Sequence, residues 1–326
     1  MKTYSQLSEF KKLDNAVVTI GTFDGVHFGH QKIIKRLCEL AKSSGGETVL
    51  LTFFPHPRMI IDPENQELKM INTVDEKAQI LANLGVDHLI ITPFTRDFSN
   101  LSAEEYIKNI LVDAIGTKKI IIGYDHRFGK DRLGNIQTLA NNAETFGYSV
   151  EEIPEQDIND VAVSSTKIRK ALLDGDVALA NEYLGYAFSI YGPVIKGDKI
   201  GRTIGFPTAN IFVPETYKLI PGDGIYAVTV EMELQPNDTE EKPSTSKPIP
   251  STFKGMAYIG QRPTINGMTR NIEVNIFDFD REIYGQNIKM NFLAFLRHDV
   301  KFTGLEALKL QLQQDKEDTL AFFAGQ

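Results

Sequence analysis

The sequence predicts two domains of different class, a doubly wound α/β domain over residues 1–185 and an antiparallel β-barrel with a C-terminal helix over 186–326. Three observations carry this. Apolar strand-like runs alternate with amphipathic helical runs through the first half, which is the rhythm of a parallel sheet covered on both faces. After about Tyr186 the rhythm changes to short segments rich in β-branched and aromatic residues, separated by Gly, Pro or Asn. The last stretch, GLEALKLQLQQDKEDTLAFF, returns to helical spacing and is expected to pack against the β-domain. The first domain is therefore expected to be Rossmann-like.

In order, an apolar strand from Ala16 to Ile20 runs into GTFDGVHFGH and then an amphipathic helix around Gln31 to Ala41. A strand from Thr48 to Phe54 stops at PHP. Thr73 and Glu76 form a capping box before a helix whose apolar face carries Ala78, Ile80, Leu81 and Leu84. Strand His88–Ile91 follows, and Ser102 with Glu105 repeats the capping signal before Tyr106, Ile107, Ile110 and Leu111. Strand Lys119–Ile122 enters GYDHRFGKDRLGN. Ligands of such sheets collect at the carboxyl ends of strands, where the Gly- and His-rich turns lie. In the second half, FSIYGPVI, GIYAVTVEMEL, KGMAYIG, NIEVNIFDF and IKMNFLAFLR read as strands of a barrel or sandwich. The polar insert at 235–252, QPNDTEEKPSTSKPIPST, reads as a mobile surface loop.

Composition narrows the function classes. A net charge of -8 argues against a broad nucleic-acid-binding face, and no apolar run is long enough for a membrane span. The polar, charged amino terminus argues against secretion, so a reducing cytoplasm is the expected setting. The single cysteine, Cys38, excludes a disulfide framework; it shares a helical face with Ile33, Leu37 and Ala41 and is expected to be a buried small hydrophobe. Weak self-association into a homo-oligomer is left open.

The segment from Gly21 to His30 carries the strongest chemical signal. Glycines at a strand-to-helix turn let backbone N–H groups approach an anion, and the following helix adds its positive end. His27 and His30, three apart, can face one side and donate to phosphate oxygens, although spacing alone leaves capping or packing open. The chain has neither G-x-x-x-x-G-K-[ST] nor H-E-x-x-H. Ser164-Ser-Thr-Lys-Ile-Arg169 opens another helix with hydroxyls at its start; Lys167 or Arg169 can offset charge on departing pyrophosphate. An ordinary cap followed by solvated charges is the bland alternative.

From Gly192 through Gly197, Gly201, Arg202 and Gly205 to Asn210, glycine is denser than a strand favours and marks close backbone approach to a ligand. Thr208 and Asn210 offer oxygens two apart on one extended face, suited to Mg²⁺, or else form a turn with an Asx cap.

Together these segments closely resemble the bacterial bifunctional riboflavin kinase/FAD synthetase family, over nearly the whole chain. The resemblance implies a nucleotidyltransferase domain, then a kinase barrel. His27, Gly29 and His30, with Ser164, Ser165, Thr166 and Arg169, would bind ATP; Gly21, Phe23 and Asp24 would line the same turn. Phe54 and the Gly123-Tyr-Asp-His-Arg-Phe-Gly129 segment, through Asp125 and Arg127, would line the flavin site; Phe54 read alone is as readily a core aromatic. His126 stands where the family carries an aromatic, which leaves its role open. In the barrel, Thr208 and Asn210 would hold ATP-bound magnesium, with Gly197, Gly201 and Arg202 near the phosphates. Glu273 would be the catalytic base, and Arg297 a flavin or phosphate contact. The implied chemistry converts riboflavin and ATP to FMN, then FMN and ATP to FAD and pyrophosphate. His27, His30 and Arg169 would serve by phosphate binding and charge stabilisation. The competing readings are an enzyme that keeps one activity with the other domain degenerate, a different nucleotidyltransferase with an unrelated barrel, and a flavin-binding protein without turnover.

Overall fold

The computed structural model describes residues 1–62, 68–154, 163–197, 200–234, 249–264 and 267–325. The chain divides into two compact units, Met1–Ser165 and Thr166–Gln326.

The first unit is built on a six-stranded, all-parallel sheet. Its strands are β1 (Lys2–Tyr4), β2 (Ala16–Ile20), β3 (Glu47–Phe53), β4 (His88–Thr92), β5 (Thr117–Gly123) and β6 (Ser149–Ile153), in the order β1-β4-β3-β2-β5-β6. All five residues of β2 are buried, as a central parallel strand covered on both faces requires. Helix α1 (Phe28–Ser44) presses Ile33, Ile34, Leu37 and Ala41 onto the sheet and ends at Gly45 in the left-handed region (φ 63). Cys38, on this helix, is half-buried, with its thiol 3.6 Å from the carbonyls of Leu84 and Gly85. Helix α2 (Val74–Asn83) starts at the anticipated capping box of Thr73 and Glu76. The second anticipated box, Ser102 with Glu105, also forms, and the helical segment Tyr106–Ile115 beyond it is wound with π-type turns. Helix α3 (Ile136–Phe146) leads to β6. Strand order reverses at β2, which has β3 on one side and β5 on the other, so the crevice of this sheet opens beyond the ends of β2 and β5.

Helices α4 (Ser165–Leu173) and α5 (Val177–Leu184) precede the barrel. Asn181 ties α5 to it: its amide donates to Phe292 O at 2.8 Å and accepts from Phe188 N at 2.7 Å. The compact-unit boundary therefore falls before the change of rhythm near Tyr186. The barrel closes in the order β10-β11-β8-β7-β12-β9, every pairing antiparallel. Its strands are β7 (Ser189–Ile195), β8 (Ala209–Ile211), β9 (Gly224–Leu234), β10 (Ile249–Thr264), β11 (Gly267–Ile276) and β12 (Asn287–Arg297). Tyr226, Phe188 and Phe292 are fully buried in it, Tyr226 standing edge-on to Phe292 at 5.2 Å. Most of the polar insert at 235–252, up to residue 248, lies outside the described residues.

The C-terminal helix α6 (Leu305–Ala324) rests on β9, β10 and β12. Arg297 holds it there: Nε and Nη2 donate to the two oxygens of Asp315 at 2.6 Å each, and Nη1 donates to His298 O. Asp315 is 1% exposed, so this ion pair is sealed beneath the helix on the Asp315 side. Asp315→Ala is expected to destabilise the second unit by about 3 kcal/mol, because it strands a partly buried guanidinium. Chemical denaturation followed by intrinsic fluorescence measures this; an unchanged midpoint would show that the pair does not hold the helix.

Candidate active sites

The turn Gly21–His27 joins β2 to α1 at the crevice of the parallel sheet. Phe23 (φ 45) and Val26 (φ 35) occupy the left-handed region although neither is glycine. Each such residue costs about 1–3 kcal/mol and persists only where its surroundings over-determine it. Here they do. The buried Asp24 carboxylate accepts from Ile71 N at 3.0 Å, and Asp24 O accepts from Ser165 Oγ at 2.9 Å. Thr22 O accepts from Thr52 Oγ1 and from Lys77 Nζ, the latter at 2.7 Å. Gln31 Nε2 donates to Val26 O. The turn is a fixed template, held from β3, α2, α1 and the start of α4.

His27 occupies the N-cap position of α1, yet its side chain makes no capping bond. Its ring stacks on that of His30 at 3.6 Å between centroids, and Phe23 meets His30 edge-on at 5.0 Å. The Nδ1 atoms of both histidines are buried with no hydrogen-bond partner in the protein. Burial pushes His27 down to about 4. Burial, with the nearby His27 and Lys77 charges, holds His30 well below the ordinary imidazole range. Both rings are therefore neutral at neutral pH, each with one N–H donor and one acceptor nitrogen.

Beyond β5, the His126 ring lies 5.9 Å from Phe128 and inclined 23° to it, and Phe128 in turn lies 5.3 Å from Tyr106. His126 Nε2 is also buried without a protein partner, and burial, aided by Arg132 and Arg127, pushes its pKa down to about 4. Asp125 and Arg127 on either side of it are exposed, and Phe54, after β3, is half-buried.

In the barrel, cross-strand pairing aligns Tyr258 of β10, Glu273 of β11 and Asn210 of β8 in one row. Directly paired residues share a face, so the three side chains converge. Thr208 Oγ1 donates to Glu273 Oε2 at 2.8 Å, and the Asn271 amide, two residues back on the same strand, donates to Oε1. Asn275 Nδ2 donates to Pro207 O at 2.7 Å and so anchors the segment leading into β8. A Cβ on Gly201 would lie 2.2 Å from the backbone oxygen of Phe206, which requires glycine there, and one on Gly197 would lie 2.3 Å from Asn210 Nδ2 and displace that side chain. Arg202 is exposed beside them. Among the described residues no group of three or more His, Cys, Asp or Glu side chains could hold a metal ion. The hydroxyl and amide oxygens of Thr208 and Asn210 instead suit a hard cation that arrives with a polyphosphate and keeps waters.

The profile for FAD synthetase matches residues 9–167, and the profile for riboflavin kinase matches residues 184–323. A bifunctional riboflavin kinase/FMN adenylyltransferase of Listeria monocytogenes is 40% identical over 311 residues, covering 95% of this chain and 93% of its own. The Escherichia coli K12 protein of the same name is 34% identical over 310 residues, covering 95% and 93%. The chain belongs to the bifunctional riboflavin kinase/FMN adenylyltransferase family. A crystal structure from Streptococcus pneumoniae described as a macrolide-efflux protein superposes with a TM-score of 0.84 at 31% identity, covering 98% of both chains. No helix among the described residues of the present chain is long and apolar enough to cross a membrane.

Within the FAD synthetase unit, the structure brings together Gly21, Phe23, Asp24, His27, Gly29, His30 and Ser165, with Ser164 adjoining. Asp24 directs its carboxylate at backbone amides, which makes it a brace for the turn. Thr166, exposed, and Arg169, half-buried, lie on α4 beyond the end of the first compact unit at Ser165. Within the riboflavin kinase unit, Thr208, Asn210 and Glu273 converge with Gly197 behind them, whereas Arg297 is engaged by Asp315. Two neighbours were missed in the sequence. Lys77 was signalled by its place on the stripe it shares with Leu81 and Leu84, and Asn271 by its two-residue offset from Glu273.

Proposed function

We propose that the barrel phosphorylates riboflavin with MgATP and that the parallel-sheet unit transfers AMP from a second ATP to the FMN formed. The observation that carries the kinase half is the cross-strand row of Asn210 and Glu273, with Thr208 bonded to the same carboxylate. Magnesium bound there would neutralise phosphate charge and align the γ-phosphoryl group for in-line transfer. Thr208 and Asn210 would hold that ion. Glu273 accepts the proton of the ribityl hydroxyl as its oxygen bonds to the γ-phosphorus and ADP departs. Thr208 and Asn271 orient the carboxylate for this step.

For adenylyl transfer, a phosphate oxygen of FMN bonds to the α-phosphorus of ATP as the bond to pyrophosphate breaks. FMN phosphate is already ionised, so no strong base is needed, and positioning with charge stabilisation supplies the acceleration. Neutral His27 and His30 suit this role, because each can donate to a phosphate oxygen without itself exchanging a proton with substrate. Ser164, Ser165 and Thr166 at the start of α4 would add donors, and Arg169 a cation one turn on. Phe54, Asp125 and Arg127 would contact the flavin. Use of ATP in both reactions is consistent with a cytoplasmic enzyme, and a net charge of -8 argues against a broad nucleic-acid-binding face.

Purified protein incubated with riboflavin, ATP and Mg²⁺, with flavins resolved over time, tests the reading. FMN should appear and then give way to FAD. No conversion of either riboflavin or supplied FMN would leave a flavin-binding protein without turnover.

A further inference from the structure

Lys77 is 4% exposed, an unusual position for an ammonium group. It lies in the first turns of α2, and Nζ donates to Thr22 O at 2.7 Å, beneath the turn that carries the unpartnered histidine nitrogens. One carbonyl bond and the electrostatic pull of the buried Asp24 carboxylate do not offset the burial of this charge. A neutral amide side chain could make the same bond at far lower desolvation cost. The histidines are neutral, and Lys167 is exposed where water and salt screen it. A cation sealed in low-dielectric surroundings acts on nearby phosphate far more strongly than an exposed one.

Resting on the adenylyltransferase reading of this unit, we infer that Lys77 is a positioning residue: its ammonium, fixed under Thr22, supplies through the turn the positive charge that favours ATP polyphosphate and departing pyrophosphate. It acts through the template and does not touch the reacting atoms. Asp24 of the turn and His30 of α1 face it electrostatically; burial pulls Lys77 down to about 8, and Asp24 partly opposes that fall. The charge is therefore present at neutral pH and lost as pH rises through about 8.

The test uses the full chain and compares wild type with Lys77→Met and Lys77→Gln. FMN-to-FAD kinetics are measured with ATP or FMN varied, with inorganic pyrophosphate as inhibitor, and riboflavin phosphorylation monitors folding of the other unit. Both variants should raise KM for ATP and weaken pyrophosphate inhibition by about tenfold or more, with KM for FMN within about twofold. Wild-type KM for ATP should climb above pH 8, and that limb should vanish in both variants. Gln keeps a donor for Thr22 O but no charge. Rescue by Gln, parallel changes in both KM values, or survival of the alkaline limb would each reduce Lys77 to a structural tie and overturn the inference. A wild type that binds flavin but makes no FAD from FMN would overturn the underlying reading instead.

Discussion

Asn210→Ala is expected to abolish FMN formation while leaving FMN-to-FAD conversion intact. Asn210 is 8% exposed and sits directly across the β8–β11 pairing from Glu273. Truncation removes an oxygen suited to the magnesium of the nucleotide without disturbing the carboxylate's own bonds to Thr208 and Asn271. Loss of one preorganised electrostatic contact commonly lowers turnover by about 10²–10³-fold. Rates of FMN formation from riboflavin, and of FAD formation from supplied FMN, separate the two activities within one preparation. Undiminished phosphorylation would remove Asn210 from the site.

The complementary result is expected for His30→Ala, in which riboflavin is phosphorylated normally and FMN accumulates. The His30 ring is clamped between His27 at 3.6 Å and Phe23 at 5.0 Å, so it is held in place before substrate arrives. Deleting it should lower FAD formation by about 10²–10³-fold. Burial keeps both rings neutral, His27 titrating only near 4, so the rate of adenylyl transfer should show no imidazole limb between pH 6 and 8. A limb centred near 6.5 that disappears in His30→Ala would mean that the histidine works as a cation or proton carrier. Normal FAD formation in the variant would defeat the assignment of the turn.

Much of the fold was legible because its signals are local. The capping boxes at Thr73 and Ser102 formed as their spacing required, and the wholly apolar β2 lies at the centre of the sheet. What escaped notice carries weak local signal. Strand β1 is three mostly exposed residues, and β6, SVEEI, is a half-exposed edge whose acids suit solvent as well as a strand. The start of helix α4 was legible in the hydroxyls of Ser164, Ser165 and Thr166, whereas α5, tied to the barrel through Asn181, was not anticipated. The glycine and histidine spacing exposed the turn, but nothing local connects Asp24 to Ile71 or Lys77 to Thr22. Arg297 illustrates the limit well. A cation at the end of a strand resembles a ligand contact until helix α6, eighteen residues on, brings Asp315 against it.

The barrel also has a seam. Among the described residues, strand β8 (Ala209–Ile211) is registered to β11 through Asn210 and Ala209, and to β7 through Ile211 and Asn210, with one further bond from Phe212 N to Pro193 O. The β9–β10–β11 ladders beside it run many residues further. Excursions that break few backbone bonds are the cheapest a folded chain can make, and this short strand, held by few ladder bonds, carries the oxygens proposed to hold magnesium. A nucleotide that engages Asn210 and Glu273 together acts as a suture across that gap. Binding energy would then be divided between holding the substrate and closing the wall that holds it.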